Sequence, residues 1–130
     1  MRSYRQTRRR PHAGADGWVV AIPSYRRPET LRDKTLRVLR EHRIPRDRIH
    51  VFVADETEAR AYRATLDPAT YGHLHVARPG MAAVRNAITR HFPIGTHIFN
   101  IDDDIRGFLE YDATAGRHER PLRSLREAIT

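Results

Sequence analysis

The chain is 130 residues long, is 39% hydrophobic and carries a formal net charge of +8 at pH 7. This composition predicts one domain with a modest core, and the lack of cysteine excludes disulfides and thiolate metal sites. No apolar run reaches the length that a membrane span requires, so we expect a soluble, cytoplasmic protein.

The positive charge is concentrated at the N-terminus. Residues 1–16 lack hydrophobic periodicity and are predicted to be a disordered, arginine-rich tail that precedes a folded domain over 17–130. Its arginines are Arg2, Arg5, Arg8, Arg9 and Arg10. Subtracting these five charges from +8 leaves +3 for the rest of the chain. Two interpretations stay open: the tail binds nucleic-acid phosphates by a salt-sensitive attraction, or it is a solvated arm without a function.

Apolar runs alternate with segments of helical periodicity over most of the chain. Buried strands are predicted at 18–22, 49–54, 74–76 and 98–101, where β-branched and aromatic residues cluster. Helices are predicted from Pro28 to before Pro45, over 59–66 and over 81–91. This alternation implies βαβ units, parallel pairing and right-handed crossovers. We therefore predict a three-layer α/β/α, Rossmann-like fold with a mostly parallel sheet. A further strand is expected at 108–111, and the first turns of a helix at 121–130.

Three consecutive aspartates, Asp102, Asp103 and Asp104, follow the fourth predicted strand. The carboxyl ends of parallel strands share one edge, where ligands bind in open α/β sheets. The residues expected to line that crevice with the aspartates are Pro23, Ser24, Tyr25, Asp55 and Gly80. Adjacent carboxylates repel one another unless a cation offsets them, and Mg²⁺ or Mn²⁺ suits oxygen ligands best. Taken alone, such a triplet is more often a solvated acidic turn.

Several common sites are not indicated by the sequence. The phosphate-binding loop Gly-x-x-x-x-Gly-Lys is absent, as is Gly-x-Gly-x-x-Gly after the first strand. Ser24 has no nucleophile-elbow glycines around it. His73 and His75 would share a strand face and could form a metal pair, but no third ligand is in reach, which favours ordinary half-exposed histidines.

Four short stretches, in this order, resemble those of family-2-like glycosyltransferases with the GT-A fold. They are residues 22–30 (IPSYRRPET), Asp55, residues 80–87 (GMAAVRNA) and the Asp-x-Asp motif at 102–104. Together they extend over roughly residues 18–106. The residues in these stretches are most similar to those of the TET-associated glycosyltransferase family, which modifies hydroxymethylated pyrimidines in phage and bacterial DNA. The stretch 51–56 (VFVADE) supports that narrower resemblance.

The resemblance implies a role for each matching residue. Pro23, Ser24 and Tyr25 would border a nucleotide-diphosphate sugar, a UDP-sugar foremost, and Asp55 would face its base. The donor pocket would be supported by Arg85 and Asn86. Among the acids, Asp104 would bind Mn²⁺ or Mg²⁺ directly, while Asp102 and Asp103 would reach the ribose or the waters of the metal. A metal-bound diphosphate leaves more easily because the cation offsets the developing negative charge.

The resemblance covers only a donor-binding half. Such enzymes build the acceptor site and usually the catalytic base after the Asp-x-Asp motif, and 26 residues follow Asp104 here. We therefore expect a truncated fold that depends on a partner chain or a dimer for the missing half. Acids of the right type are Glu110, Asp112 and Glu119, but no base is assigned. The competing hypotheses are a non-catalytic nucleic-acid-binding remnant and a different metal-dependent phosphoryl-transfer enzyme.

Overall fold

The computed structural model describes residues 17–77, 81–112 and 118–121. The four strands of the main sheet are β1 (Trp18–Pro23), β2 (Ile49–Val53), β3 (His73–Val76) and β4 (His97–Asn100). The helices are α1 (Pro28–Asp33), α2 (Thr35–Glu41), α3 (Glu56–Thr65) and α4 (Met81–His91), with a 3-10 turn at Arg46–Arg48. A hairpin follows, made of β5 (Leu109–Asp112) and β6 (His118–Pro121). The predicted tail and residues 122–130 lie outside the described part of the chain.

The main sheet is parallel throughout, in the order β3-β2-β1-β4. The predicted parallel pairing of the first, second and fourth strands is therefore confirmed. β1 occupies the interior of the sheet, and all six of its residues are buried. A strand in this position is covered on both faces, which explains why its sequence is a continuous apolar run and not an alternating one.

Helices cover both faces of the sheet, so the predicted layered α/β arrangement is observed. On one face, Val20 and Ile22 of β1 pack with Leu31, Leu39 and Tyr62 from the first three helices. On the other face, Val19 and Ala21 pack with residues of α4. The change of face follows from the strand order. From β1 to β3, each new strand is added on the same side of the previous one. The chain then returns past β1 to place β4 on its other side. Because this last connection has the same right-handed sense but runs in the other direction, its helix α4 lies on the opposite face of the sheet.

The structure differs from the sequence-based prediction at two places. The single helix predicted from Pro28 is two short helices, because Lys34 adopts φ −114° and ψ −83° between them. Pro121, predicted to start a helix, is the last residue of β6. A proline is tolerated there because the strand pairs only with β5 in the described structure. Within the described residues, no helix is long and apolar enough to span a membrane.

Gly72 lies where the chain enters β3 against the 3-10 turn, and its N–H donates to the carbonyl of Ile49 at 3.1 Å. A Cβ at this position would stand 2.4 Å from the backbone oxygen of Arg46. We therefore expect Gly72→Ala to lower the free energy of unfolding by about 1–3 kcal/mol, measured by urea denaturation. Gly107→Ala is the matched control because its Cβ would meet nothing within 4 Å. Equal stability of the two variants would contradict this account.

Candidate functional site at the ends of β1 and β4

The candidate site lies at the point in the parallel sheet where the order of strand addition reverses, between β1 and β4. From β1 the chain proceeds to β2 on one side, while β4 pairs with the other side of β1. The loops that leave the carboxyl ends of β1 and β4 therefore lie next to each other, at the edge where open α/β sheets bind ligands. The loop after β1 carries Ser24, and the turn after β4 carries the three aspartates.

Ser24 and Asp103 meet between these two loops. Both side chains are buried, and the Ser24 hydroxyl donates to Oδ2 of Asp103 at 2.7 Å. The hydroxyl of Tyr62 lies 2.6 Å from Ser24 Oγ. Since the single proton of Ser24 points to the carboxylate, Tyr62 donates to Ser24 in turn. Tyr62 also accepts a hydrogen bond from the backbone N–H of Arg27 at 3.1 Å. The result is one ordered chain of donors that ends on the Asp103 carboxylate.

Arg27 neutralises that same carboxylate. Its Nη2 donates to Asp103 Oδ1, and its Nε lies 3.3 Å from Oδ2. The Asp103 side chain is only 5% exposed, whereas that of Arg27 is 48% exposed. The hydrogen bond and the negative charge of Asp103 raise the pKa of the Arg27 guanidinium above its already high usual value. Arg27 therefore stays cationic, and its Nη2 also lies 3.7 Å from Oδ2 of Asp104.

The backbone of the aspartate turn is fixed by α2. Buried Thr35, the first residue of that helix, donates through Oγ1 to the carbonyl of Asp102 at 2.6 Å. The same Oγ1 accepts from the N–H of Ile105 at 3.1 Å. One hydroxyl thus bridges both ends of the turn. The carboxylates of Asp102 and Asp104 remain exposed on either side of the buried Asp103.

The other predicted site residues have varied surroundings. Asp55 is exposed and caps α3, accepting from the N–H of Glu58 at 2.9 Å. Pro23 is buried as the last residue of β1, whereas the ring of Tyr25 is 49% exposed beneath the guanidinium of Arg26.

Two predicted site residues do not join the hydrogen bonds that order the aspartates. Arg85 and Asn86 lie exposed on α4, which packs against the sheet face opposite α1, α2 and α3. The predicted crevice residue Gly80 lies outside the described residues.

Sequence reasoning missed the residues that order the site. Arg27 lies in the stretch 22–30 that carries the glycosyltransferase resemblance, but the resemblance gives it no role there. Thr35 and Tyr62 lie within predicted helices, and the helical pattern gives no information on the partners of their hydroxyl groups. Helical periodicity shows that such a side chain points inward. It does not show which buried polar group that side chain meets.

Burial raises the pKa of the Tyr62 phenol above its ordinary value near 10. The neutral phenol is therefore favoured by folding. Its contribution is complete below pH ~10 and is lost as the pH rises through the higher folded pKa. We expect Tyr62→Phe to cost about 1 kcal/mol at pH 7, from the lost hydroxyl contacts, and to lose less stability than the parent between pH 9 and ~11. Urea denaturation across that range tests this, with exposed Tyr25→Phe as control. A parallel decline of parent and Tyr62→Phe would contradict it.

The charged side chains at this edge of the sheet are suited to a metal ion and a phosphate. Two exposed carboxylates flank one neutralised carboxylate, and a half-exposed guanidinium stands beside them. Oxygen donors of this kind suit a hard divalent cation, and an arginine suits phosphate oxygens. Comparisons of the chain with family models, with curated proteins and with solved structures find no match. The functional interpretation therefore depends on the sequence motifs and on this geometry.

Proposed function

We propose that the chain binds a nucleotide-diphosphate sugar, a UDP-sugar foremost, together with Mn²⁺ or Mg²⁺, and serves glycosyl transfer as a GT-A-type donor domain. The observation that carries the proposal is that the three aspartates of the turn differ in burial and in their partners. Asp103 is buried, neutralised by Arg27 and hydrogen-bonded by Ser24, while Asp102 and Asp104 stay exposed at the point where the strand order reverses. A merely solvated acidic turn has no need of such an internal anchor.

The carboxylates fit the proposed metal. Asp104, with Asp102 beside it, would hold Mn²⁺ or Mg²⁺ through oxygen ligands, as these ions prefer. When bound, the cation supplies charge stabilisation to the diphosphate leaving group. Arg27 stands close enough to Asp104 to contact a phosphate at the same position. It is held there by its bonds to Asp103, so the guanidinium is oriented before any ligand arrives.

The remaining residues supply the nucleotide side of the crevice. Ser24 closes the end of β1, and the exposed ring of Tyr25 offers an apolar surface beside it. Asp55 is fixed at the same sheet edge by its cap on α3, where its carboxylate can accept from a base. The acids Glu110 and Asp112 lie on β5 and Glu119 on β6. None is assigned as the catalytic base.

The proposed acceptor is hydroxymethylated pyrimidine in DNA. Its support is the resemblance of the motifs, together with the five arginines among the first ten residues, which attract a phosphate backbone. Incubation with Mn²⁺, UDP-sugars and DNA that contains hydroxymethylcytosine, followed by mass spectrometry of the bases, tests this part. Unmodified DNA of the same sequence is the control.

Donor binding is the direct test of the proposal. Calorimetric titration of the full chain with UDP and with UDP-glucose should show binding in Mn²⁺ and little or none in EDTA. This is expected because the aspartates repel the diphosphate unless a cation lies between them. Equal affinity in metal and in chelator would refute the proposed site.

A further inference from the structure

A cluster of histidines lies on the sheet face that α4 covers. β2 and β3 pair in parallel with His50 opposite His73 and Phe52 opposite His75. Phe52 packs with Val84, Ile88 and Phe92, so this register turns the histidines of both strands toward α4. His91, the last residue of α4, is brought against them, with its ring 4.1 Å from that of His75. Among the described residues, the group that could hold a metal consists of histidines alone.

Three of these histidines have the geometry of a metal site. Nδ1 of His50 lies 2.9 Å from Nε2 of His75, and one ring nitrogen from each of His50, His75 and His91 lies within 4.8 Å of the other two. Metal–nitrogen bonds of about 2.0–2.1 Å in a tetrahedral site place the nitrogens roughly 3.3 Å apart. Rotation of the exposed His91 side chain is the main adjustment required. To leave both of these nitrogens free to bind a metal, the proton between His50 and His75 would move to the other nitrogen of its own ring.

His73 has a different role. Its Nε2 lies 3.2 Å from the carbonyl oxygen of Asp47, and its ring stacks on His50 at 4.1 Å. It therefore packs against the cluster and fixes the plane of the His50 ring. The sequence favours ordinary half-exposed histidines at 73 and 75, because no third ligand is in reach of that pair. In the structure, His75 instead lies beside His50 from the neighbouring strand and His91 from the helix.

The position of the cluster is suited to a bound metal. His50 is fully buried, with its ring 4.8 Å from that of Phe92. His91 is exposed, which gives an ion access from solvent and leaves space for a water as a fourth ligand. Neutral imidazoles suit Zn²⁺ and related transition metals, while Mg²⁺ and Mn²⁺ favour carboxylates. The two sites of this chain would therefore select different ions.

We propose that His50, His75 and His91 form a Zn²⁺ site that ties the C-terminal end of α4 to β2 and β3. This site is separate from the aspartate turn. The three ligands lie where β2, β3 and α4 meet, whereas the aspartate turn follows β4 and is bonded to Thr35 of α2. The two proposals therefore stand or fall independently.

The test is titration of the full chain with Co²⁺ as a spectroscopic substitute, followed by displacement with Zn²⁺. We expect the intense visible absorption of tetrahedral Co²⁺, lost on addition of one equivalent of Zn²⁺, and a melting temperature that rises with Zn²⁺ concentration. His91→Gln should weaken binding at least about tenfold, and His75→Gln should do the same. The variant at exposed His91 is the main one, since a substitution of buried His50 could prevent folding.

Two control variants separate this site from other ligands. His97→Gln changes an exposed histidine on β4, and Asp104→Asn changes the carboxylate site. Both should retain the tetrahedral signal and the thermal response to Zn²⁺. The proposal is overturned if the parent gives no tetrahedral signal, if His91→Gln keeps it at full strength, or if His97→Gln loses it equally.

Discussion

Asp104→Asn is expected to reduce the Mn²⁺-dependent affinity for UDP by at least about tenfold, or ~1.4 kcal/mol of binding free energy. The substitution keeps the shape of the side chain but removes the charge of the proposed direct metal ligand. Because Asp104 is exposed, the stability of the fold should change by no more than about 0.5 kcal/mol. Calorimetry in Mn²⁺ measures the first quantity, and urea denaturation the second.

Asp33→Asn provides the matched control for the binding experiment. Asp33 is also an exposed acid, and its pKa is lowered by the hydrogen bond from Arg32. It stands at the end of α1, outside the aspartate turn, so this variant should bind UDP as the parent does. An Asp104→Asn protein with parental affinity in Mn²⁺ would defeat the assignment of Asp104 as a metal ligand.

Asp103→Asn is expected to destabilise the fold, with a loss of about 2–3 kcal/mol in the free energy of unfolding. The change removes the anion that receives Ser24 and Arg27 and leaves a buried amide N–H₂ against hydrogen-bond donors. Breaking a fully buried ion pair costs about 3–5 kcal/mol, and the half-exposed Arg27 justifies a lower figure here.

Asp102→Asn is the control for that experiment, because it alters an exposed neighbour in the same turn. Its stability should stay within about 0.5 kcal/mol of the parent. A double-mutant cycle with Ser24→Ala then measures the coupling between Ser24 and Asp103, which should exceed about 0.5 kcal/mol for residues in contact. Additive losses, or equal stability of the Asp102 and Asp103 variants, would show that the buried network does not anchor the turn.

The fold was largely predictable because each βα unit leaves a local pattern. The bounds predicted for β1 and α4 agree with the structure to within one residue. The alternation of strands and helices correctly predicted the parallel pairing. The break at Lys34 was not predictable, since the apolar spacing of Leu31 and Leu39 is the same for a straight and a broken helix. Of the β5–β6 hairpin, only the first strand was predicted. Pro121 was expected to begin a helix, because its pairing with Leu109 is not visible in the sequence.

The candidate site was predictable in its location but not in its internal order. The acids after β4 marked the edge, yet three identical residues give no hint that Asp103 turns inward. That distinction depends on Arg27 and Ser24, which approach from another strand end. The histidine cluster was hidden for the same reason. Register alone sets His50 beside β3, and only the packing of α4 brings His91 to it.

The strand order also determines when the aspartate edge can exist during folding. β1, β2 and β3 pair with their neighbours in sequence, whereas Ser24 and Asp103 are 79 residues apart. Closing such a long loop costs entropy before any contacts form to offset it. We therefore expect β4 to dock on β1 after the three-stranded unit has formed. Substitutions in the Ser24–Asp103 network should then accelerate unfolding and leave the folding rate nearly unchanged. A donor bound at this edge would hold the last strand in place and slow the first step of unfolding.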